Sequence, residues 1–260
     1  MEPSISYEEV SAIVHSTHGR PHNVLGRHKI IYQNHPAYVI RAYRPDAKKI
    51  EILDKSSSQA ACKMGSAYYE NFFEYIFRTE DEFDYALRIT DHEGSEYVVD
   101  DPYAFSHVID DFDAHLFAEG NNHEIYNWLG AHKKTIRQTQ GYHFAVWAPN
   151  AVRVSIIGDF NHWDGRYHQM SMTGDSGIWE IFIPGISQNT RYKYEIKTRT
   201  GHLLEKIDPY GFLFEVPPNS ATLTQDLDNF TWEDPGWMEQ RKNRDFTCTP
   251  ISIYEIHLGS

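Results

Sequence analysis

Tyr38 to Leu53, YVIRAYRPDAKKIEIL, reappears 104 residues later as Tyr142 to Ile157, YHFAVWAPNAVRVSII. Pro45 falls on Pro149, Asp46 on Asn150, Ala47 on Ala151 and Ile52 on Ile156. In each copy apolar and polar residues alternate, break at a proline, and alternate again. Period-two alternation sends one side of a segment to a core and the other to solvent, which marks a half-buried strand. Between the two runs of the second copy, Ala148-Pro149-Asn150 supplies a turn, because proline fixes φ and asparagine tolerates a left-handed bend. The stretch therefore reads as strand, turn, strand, and it is present twice.

Working outward, the duplication extends. Asn23-Val-Leu-Gly-Arg-His28 is matched by Asn127-Trp-Leu-Gly-Ala-His132 at the same offset. Phe73-Glu-Tyr-Ile76 is matched by Trp179-Glu-Ile-Phe182, and Asp101-Pro-Tyr-Ala-Phe105 by Asp208-Pro-Tyr-Gly-Phe212, with offsets of 106 and 107. Four blocks in one order, with an offset that grows only by small loop insertions, mean tandem duplication. Strands are expected at Val39–Tyr43, Lys49–Leu53, Phe72–Phe77 and Tyr85–Ile89, and again at His143–Trp147, Val152–Ile157, Ile178–Ile183 and Arg191–Ile196. About seven short strands per hundred residues, separated by turn signals, indicate an immunoglobulin-like sandwich. The expected fold class is all-β: two tandem immunoglobulin-like β-sandwiches with short helices.

Helices are few. Ser6 and Glu9 form a capping box ahead of Val10, Ile13 and Val14. Asp110 to Gly120 reads as a short helix between the copies. Asp234-Pro235 opens another, with proline in the first turn. Ile251 to Leu258, ISIYEIHL, is almost wholly apolar, as strands buried on both faces of a parallel sheet are. Such a strand needs neighbours reached by long crossovers, so the segment is expected to be the first strand of a (β/α)8 barrel cut off at residue 260. The expected division is an N-terminal helix (1–20), a first sandwich (21–112), a connecting helix or linker (113–126), a second sandwich (127–228), a linker helix (229–250) and the barrel strand (251–260).

Bulk properties narrow the function. Net charge is −13 with histidine neutral, the wrong sign for gripping a phosphate backbone, so nucleic acid is not expected as a partner. A neutral polymer suits this charge, and 6 Trp, 17 Tyr and 14 Phe suit either strands or sugar-stacking surfaces. The two cysteines, Cys62 and Cys248, have no metal-ligand or redox spacing. The first residues carry neither a basic nor an apolar signal region, and no apolar run reaches the length of a membrane span. A cytoplasmic monomer with no cofactor, no metal and no membrane association is expected.

Several motifs carry a resemblance. Asn23-Val-Leu-Gly-x-His28 and Leu129-Gly-Ala-His132 are similar to the openings of the two amino-terminal domains of bacterial 1,4-α-glucan branching enzymes, members of the α-amylase superfamily. Phe144–Ala151 (FAVWAPNA), Ile157–Gly165 (IGDFNHWDG), Ser176–Glu180, Tyr192–Glu195 and Asp208–Tyr210 resemble a glycogen-binding type of carbohydrate-binding module. Trp232-x-Asp234-x-x-Trp237-Met238 and Ser252–Ser260 (SIYEIHLGS) resemble that family's approach to its catalytic barrel. The resemblance implies a parent that cleaves an α-1,4 glucan bond with retention and passes the chain to a 6-hydroxyl, and it implies glycogen or amylose-like α-glucan as partner. That chemistry needs a nucleophilic carboxylate and an acid about 5 Å apart on later barrel strands. No position here matches them, so no catalytic residue is expected. The competing reading is a stand-alone glucan-binding or scaffolding protein; a debranching or trehalose-forming relative is a third.

The resemblance also marks three glucan-binding candidates. Trp163, in Phe160-Asn-His-Trp163, falls where related modules stack a ring on glucose, though a packing role fits the same position. Lys193 falls on a lysine that hydrogen-bonds sugar hydroxyls, against the alternative of a solvated strand lysine. Asn161 shares the Trp163 turn. The second stacking tryptophan of such modules would lie near His202-Leu203 and is missing. Asp100-Asp101 and Asp110-Asp-Phe-Asp113 look like carboxylate pairs. The duplication turns Asp101 into Asp208 within a retained Asp-Pro-Tyr, so turn and cap roles are expected there.

Overall fold

A computed structural model describes residues 3–55, 62–78 and 83–259. Met1 and Glu2 of the amino-terminal stretch and Ser260 of the last motif lie outside the described residues. Helix α1 (Tyr7–Val14) begins where Ser6 Oγ accepts the Glu9 N–H at 3.3 Å, and it buries Val10 and Ile13. A 3-10 turn at Pro21–Asn23 then leads into β1 (Gly26–Tyr32), β2 (His35–Tyr43), β3 (Ala47–Asp54), β4 (Cys62–Lys63), β5 (Gly65–Ala67), β6 (Tyr69–Phe77), β7 (Tyr85–Asp91) and β8 (Glu96–Val99). These strands make two antiparallel sheets, β1-β2-β6-β5 and β4-β3-β7-β8, facing across a core that includes Ile40, Ile50, Phe73 and Leu87.

The second copy repeats the plan. After α2 (Asp111–Ala118) and a 3-10 turn at Ile125–Asn127 come β9 (Gly130–Ile136), β10 (Thr139–Trp147), β11 (Ala151–Gly158), β12 (Ser171–Met172), β13 (Ile178–Pro184), β14 (Arg191–Thr198), β15 (Leu203–Lys206), β16 (Leu213–Phe214) and β17 (Thr222–Leu223). One sheet runs β9-β10-β13-β12, the order of β1-β2-β6-β5; the other runs β11-β14-β17-β16, with β15 also on β14. Where β3 pairs with β4, the second copy keeps a single bridge, Ser155 to Gln169. Equivalent details recur at the atomic level. His28 Nε2 lies 2.8 Å from Leu25 O and His132 Nε2 lies 2.9 Å from Leu129 O. Tyr85 and Tyr192 each donate a 2.7 Å hydrogen bond, to Asp101 and Asp208. Gly26 and Gly130 hold φ of +85° and +100°, and a Cβ there would come within 2.2 Å of Tyr103 O and 3.0 Å of Tyr210 O. Only glycine meets both demands.

The helices belong to the repeated unit. Val10, Val24, Leu25 and Phe72 form a small cluster under α1, while Ala114, Trp128, Leu129 and Ile178 form its counterpart under α2. The expected division between residues 112 and 113 thus falls inside α2. The two copies also bond to each other. Tyr103 donates its hydroxyl to Gln169 O at 3.0 Å, Gln169 Nε2 donates to Ile13 O at 3.1 Å, and Met172 N donates to Gly19 O at 2.9 Å. Residues up to Gln225 form one compact unit, and Asp226 onward a second.

In that second unit, α3 (Pro235–Asn243) follows Asp234, whose side chain makes no capping bond. Among the described residues, 251–257 make no strand pairing within this chain, and Ile253, Tyr254 and Leu258 are exposed. An extended segment becomes a strand only when its backbone groups find partners, and apolar sequence alone does not supply them.

Candidate functional site

The segment from Gly158 to His168 is held at both ends. A 3-10 turn at Asp159–Asn161 follows β11, and His162 and Trp163 then both take left-handed backbone, with φ of 56° and 59°. Two successive non-glycine residues in that region cost roughly 1 kcal/mol or more each, so the turn must be fastened. Asn161 does this from inside, at 1% exposure. Its Oδ1 accepts the Gly158 N–H at 2.9 Å, and its Nδ2 donates to Ile156 O at 2.8 Å and to His168 Nδ1 at 2.9 Å. Burial, with help from the Arg44 charge, pushes His168 down to about 3 and keeps the ring neutral; the Asn161 bond then fits the tautomer that carries its proton on Nε2. Trp163 N closes the turn on Gly158 O at 3.1 Å. At the other end, buried Arg153 donates to Gly165 O at 2.9 Å and to Glu195 at 2.5 Å.

This frame presents Trp163 at the surface, 37% exposed. Its indole N–H donates to Asp159 Oδ1 at 3.3 Å, and Asp159 Oδ2 accepts from Arg191 Nε at 2.8 Å. Hydrogen bonding to Asp159 raises the Arg191 guanidinium above its usual value, and Glu215, 3.4 Å from Arg191, adds to this. Lys193 lies two residues along β14 from Arg191, on the same side of the sheet. It is paired with Ile157, just before the turn, and its Nζ sits 3.4 Å from Glu205. Leu203 is opposite Lys197, farther along β14.

The structure thus gathers Trp163 with Asp159 and Arg191, sets Lys193 beside them, and puts Asn161 beneath as the fastener rather than at the surface. Asp159 and Arg191 were missed from sequence. The usable signal was the placement of Arg191 and Lys193 at period two and of Asp159 at the head of the turn.

The acidic pairs are structural. Asp101 accepts the Tyr103 N–H at 3.0 Å besides the Tyr85 hydroxyl, and burial raises its carboxyl. Asp208 does the same with Tyr210 N at 2.8 Å, and burial again raises it. Asp110 caps α2 by accepting Asp113 N–H at 2.7 Å. Among the described residues no three His, Cys, Asp or Glu side chains cluster as metal ligands, and no helix is long and apolar enough to cross a membrane.

Comparison with known proteins assigns the two copies. Residues 6–103 match the family described as alpha-1,4-glucan branching enzyme GlgB, N-terminal domain, and residues 128–211 match carbohydrate-binding module 48, the isoamylase N-terminal domain. The chain pairs a branching-enzyme amino-terminal domain with a family 48 carbohydrate-binding module. The branching-enzyme domain therefore carries α1 to β8, and the module carries the Trp163 turn. A 1,4-alpha-glucan branching enzyme GlgB of Thermosynechococcus vestitus is 47% identical over 99% of this chain and 33% of its own length. One from Synechocystis sp. is 45% identical over 100% of this chain and 34% of its own length. The chain spans about a third of the length of these relatives. A pullulanase structure from Anoxybacillus sp. LM18-11 aligns with 80% of this chain and 29% of its own, at 16% identity and a TM-score of 0.35.

Proposed function

We propose that this chain is the accessory, glucan-engaging part of a cytoplasmic enzyme that cleaves an α-1,4-glucan segment and transfers it to a 6-hydroxyl to form branches in glycogen. The chain contributes binding and placement of the polymer, and the carboxylates of the transfer reaction lie in another part of the parent. One observation carries the binding role: a half-exposed indole is held edge-on by a buttressed Asp159–Arg191 pair on a turn that keeps two left-handed residues. A surface held at that conformational cost has a use, and a flat ring against the C–H face of a sugar is one of few ways to grip an uncharged polymer without a deep pocket. Lys193 and Arg191 offer donors for sugar hydroxyls beside the ring, and Asn161 sets the ring's position.

Affinity electrophoresis in glycogen gels tests this with the whole chain and Trp163→Ala. With one aromatic platform, the wild type is expected to bind at about millimolar affinity and to be retarded. Trp163→Ala should run freely while melting at the wild-type temperature. Equal retardation of both proteins, or a large loss of melting temperature in the variant, would make Trp163 a packing residue and overturn the reading.

A further inference from the structure

A second feature lies on the other side of the same turn. Between the two sandwiches is a cleft of about 390 Å³ whose lining includes Arg44, Asp46, Tyr97, Phe160, His162 and Tyr167. That volume lies within the range of small-ligand pockets, about 300–1,000 Å³.

Arg44 and Asp46 flank the proline turn between β2 and β3, and the duplication provides an internal control for what that turn needs. Its second copy is Ala148-Pro149-Asn150, and the turn closes the same way in both: Ala47 N donates to Arg44 O at 3.2 Å, and Ala151 N donates to Ala148 O at 3.1 Å. The turn therefore forms without either charge. Yet Arg44 is 8% exposed, and burying a guanidinium is costly unless its donors are used. Among the described residues it makes no salt bridge; its guanidinium lies 5.8 Å from the centroid of the Tyr167 ring. Asp46 accepts the Tyr97 hydroxyl through Oδ2, while its Oδ1 is buried behind the cleft wall. The cleft thus holds the unused Arg44 donors and aromatic rings, with Asp46 behind them.

We infer that this cleft is a second carbohydrate subsite, taking two or so glucosyl units of an α-glucan whose neighbouring units lie on Trp163. Sugar hydroxyl oxygens can accept from the unused Arg44 donors, while Tyr167 and Tyr97 offer ring surface to the sugar. An anionic ligand fits less well, because Asp46 and Asp100 line the cleft with Arg44 and Asp100 already pairs with Lys55 at 2.6 Å. His162 lines the cleft and is followed directly by Trp163, so one turn would serve both subsites. The inference rests on the glucan-binding reading but not on the same side chains.

The test uses the whole chain with maltoheptaose, titrated calorimetrically against wild type, Trp163→Ala and the double variant Arg44→Ala, Asp46→Asn. The double variant copies the turn of the second sandwich, so its melting temperature should match wild type while its affinity falls about fivefold or more, the loss of one or two hydrogen bonds. In wild-type amide NMR spectra, maltoheptaose should also shift residues 44–46, 97 and 162–167, a readout that stands even if the double variant proves unstable. Wild-type affinity in the double variant, or no shifts at 44–46 and 97, overturns the subsite and leaves the Trp163 site intact. Loss in the double variant with none in Trp163→Ala overturns the Trp163 site and keeps the cleft. No binding by wild type at about 10 mM sugar, near the weak end of measurable affinity, overturns both.

Discussion

Glu74 and Glu180 hold the same place in the two sandwiches, and each grips the segment that leads into its own copy's helix. Glu74 accepts from Ser4 N at 3.1 Å and Ser4 Oγ at 2.6 Å, ahead of α1. Glu180 accepts from Val108 N at 2.8 Å and Ile109 N at 3.2 Å, ahead of α2. The side-chain partners differ. Glu74 faces Arg41 at 3.7 Å, whereas Glu180 contacts His143 and His107, each at 2.9 Å. Because Glu180 fastens the link between the copies, Glu180→Ala should cost about 3–5 kcal/mol, the usual consequence of stripping one partner from a buried charged cluster. Urea unfolding of the whole chain checks this, and a loss below about 1 kcal/mol would mean the carboxylate is dispensable.

Acid should loosen the same region early. Burial pushes His22 down to about 3 and His168 likewise, against 6.5 in an unfolded chain. Between those values the unfolded state binds protons that the folded state refuses, so stability is full above about pH 6.5 and falls as pH drops. Glu180 adds to the loss below about pH 4.5: burial would raise it, but the hydrogen bonds and charges of His107 and His143 win and hold it well below that value. The raised carboxyls of Asp101 and Asp208 act in the opposite sense, but only nearer the carboxylate range. Melting temperature should therefore fall between pH 7 and pH 5, as unfolding free energy drops by up to about 1.4 kcal/mol per pH unit for each histidine. A flat profile over that interval would contradict the neutral, buried state of both rings.

Asn161 should matter for stability and for binding together. Asn161→Ala leaves the buried Gly158 N–H and Ile156 carbonyl without their partner, costing about 1–3 kcal/mol, and it frees Trp163 from its left-handed turn. The variant should melt lower and lose retardation in glycogen gels. Gly158→Ala tests the same turn by crowding, since its Cβ would come within 2.3 Å of Arg191 O. Wild-type melting in either variant would mean the turn is held elsewhere.

The chain by itself should show no branching activity. Retaining transfer needs two carboxyl groups about 5 Å apart around the scissile bond, and Asp101, Asp208 and Asp110 are committed to turns and a cap. Iodine-stained amylose incubated with the pure chain should keep its absorbance spectrum. A time-dependent loss proportional to protein concentration would refute the accessory role.

Much of this architecture was legible because strand sandwiches are written in local pattern. Period-two alternation, the Pro45 and Pro149 turns and the Asp-Pro-Tyr blocks determined two tandem sandwiches, and the repeat itself exposed Asp101 and Asp208 as turn formers. The capping serine and Asp110 placed α1 and α2 for the same reason, since caps act within one turn of chain. Pairing across the fold was not legible. Sequence placed Asn161 among the sugar contacts, and only tertiary structure turned its amide inward onto Gly158, Ile156 and His168. It also placed a strand at Ile251–Leu258, and this chain supplies no neighbouring strand for it among the described residues. Likewise Trp163 was visible as a residue, but its buttress was not, because Asp159 and Arg191 are 32 positions apart and meet only through the register of β11 on β14. Local periodicity fixes which face a side chain takes. Which distant groups share that face is decided by strand register and domain packing, and those are set by the whole chain.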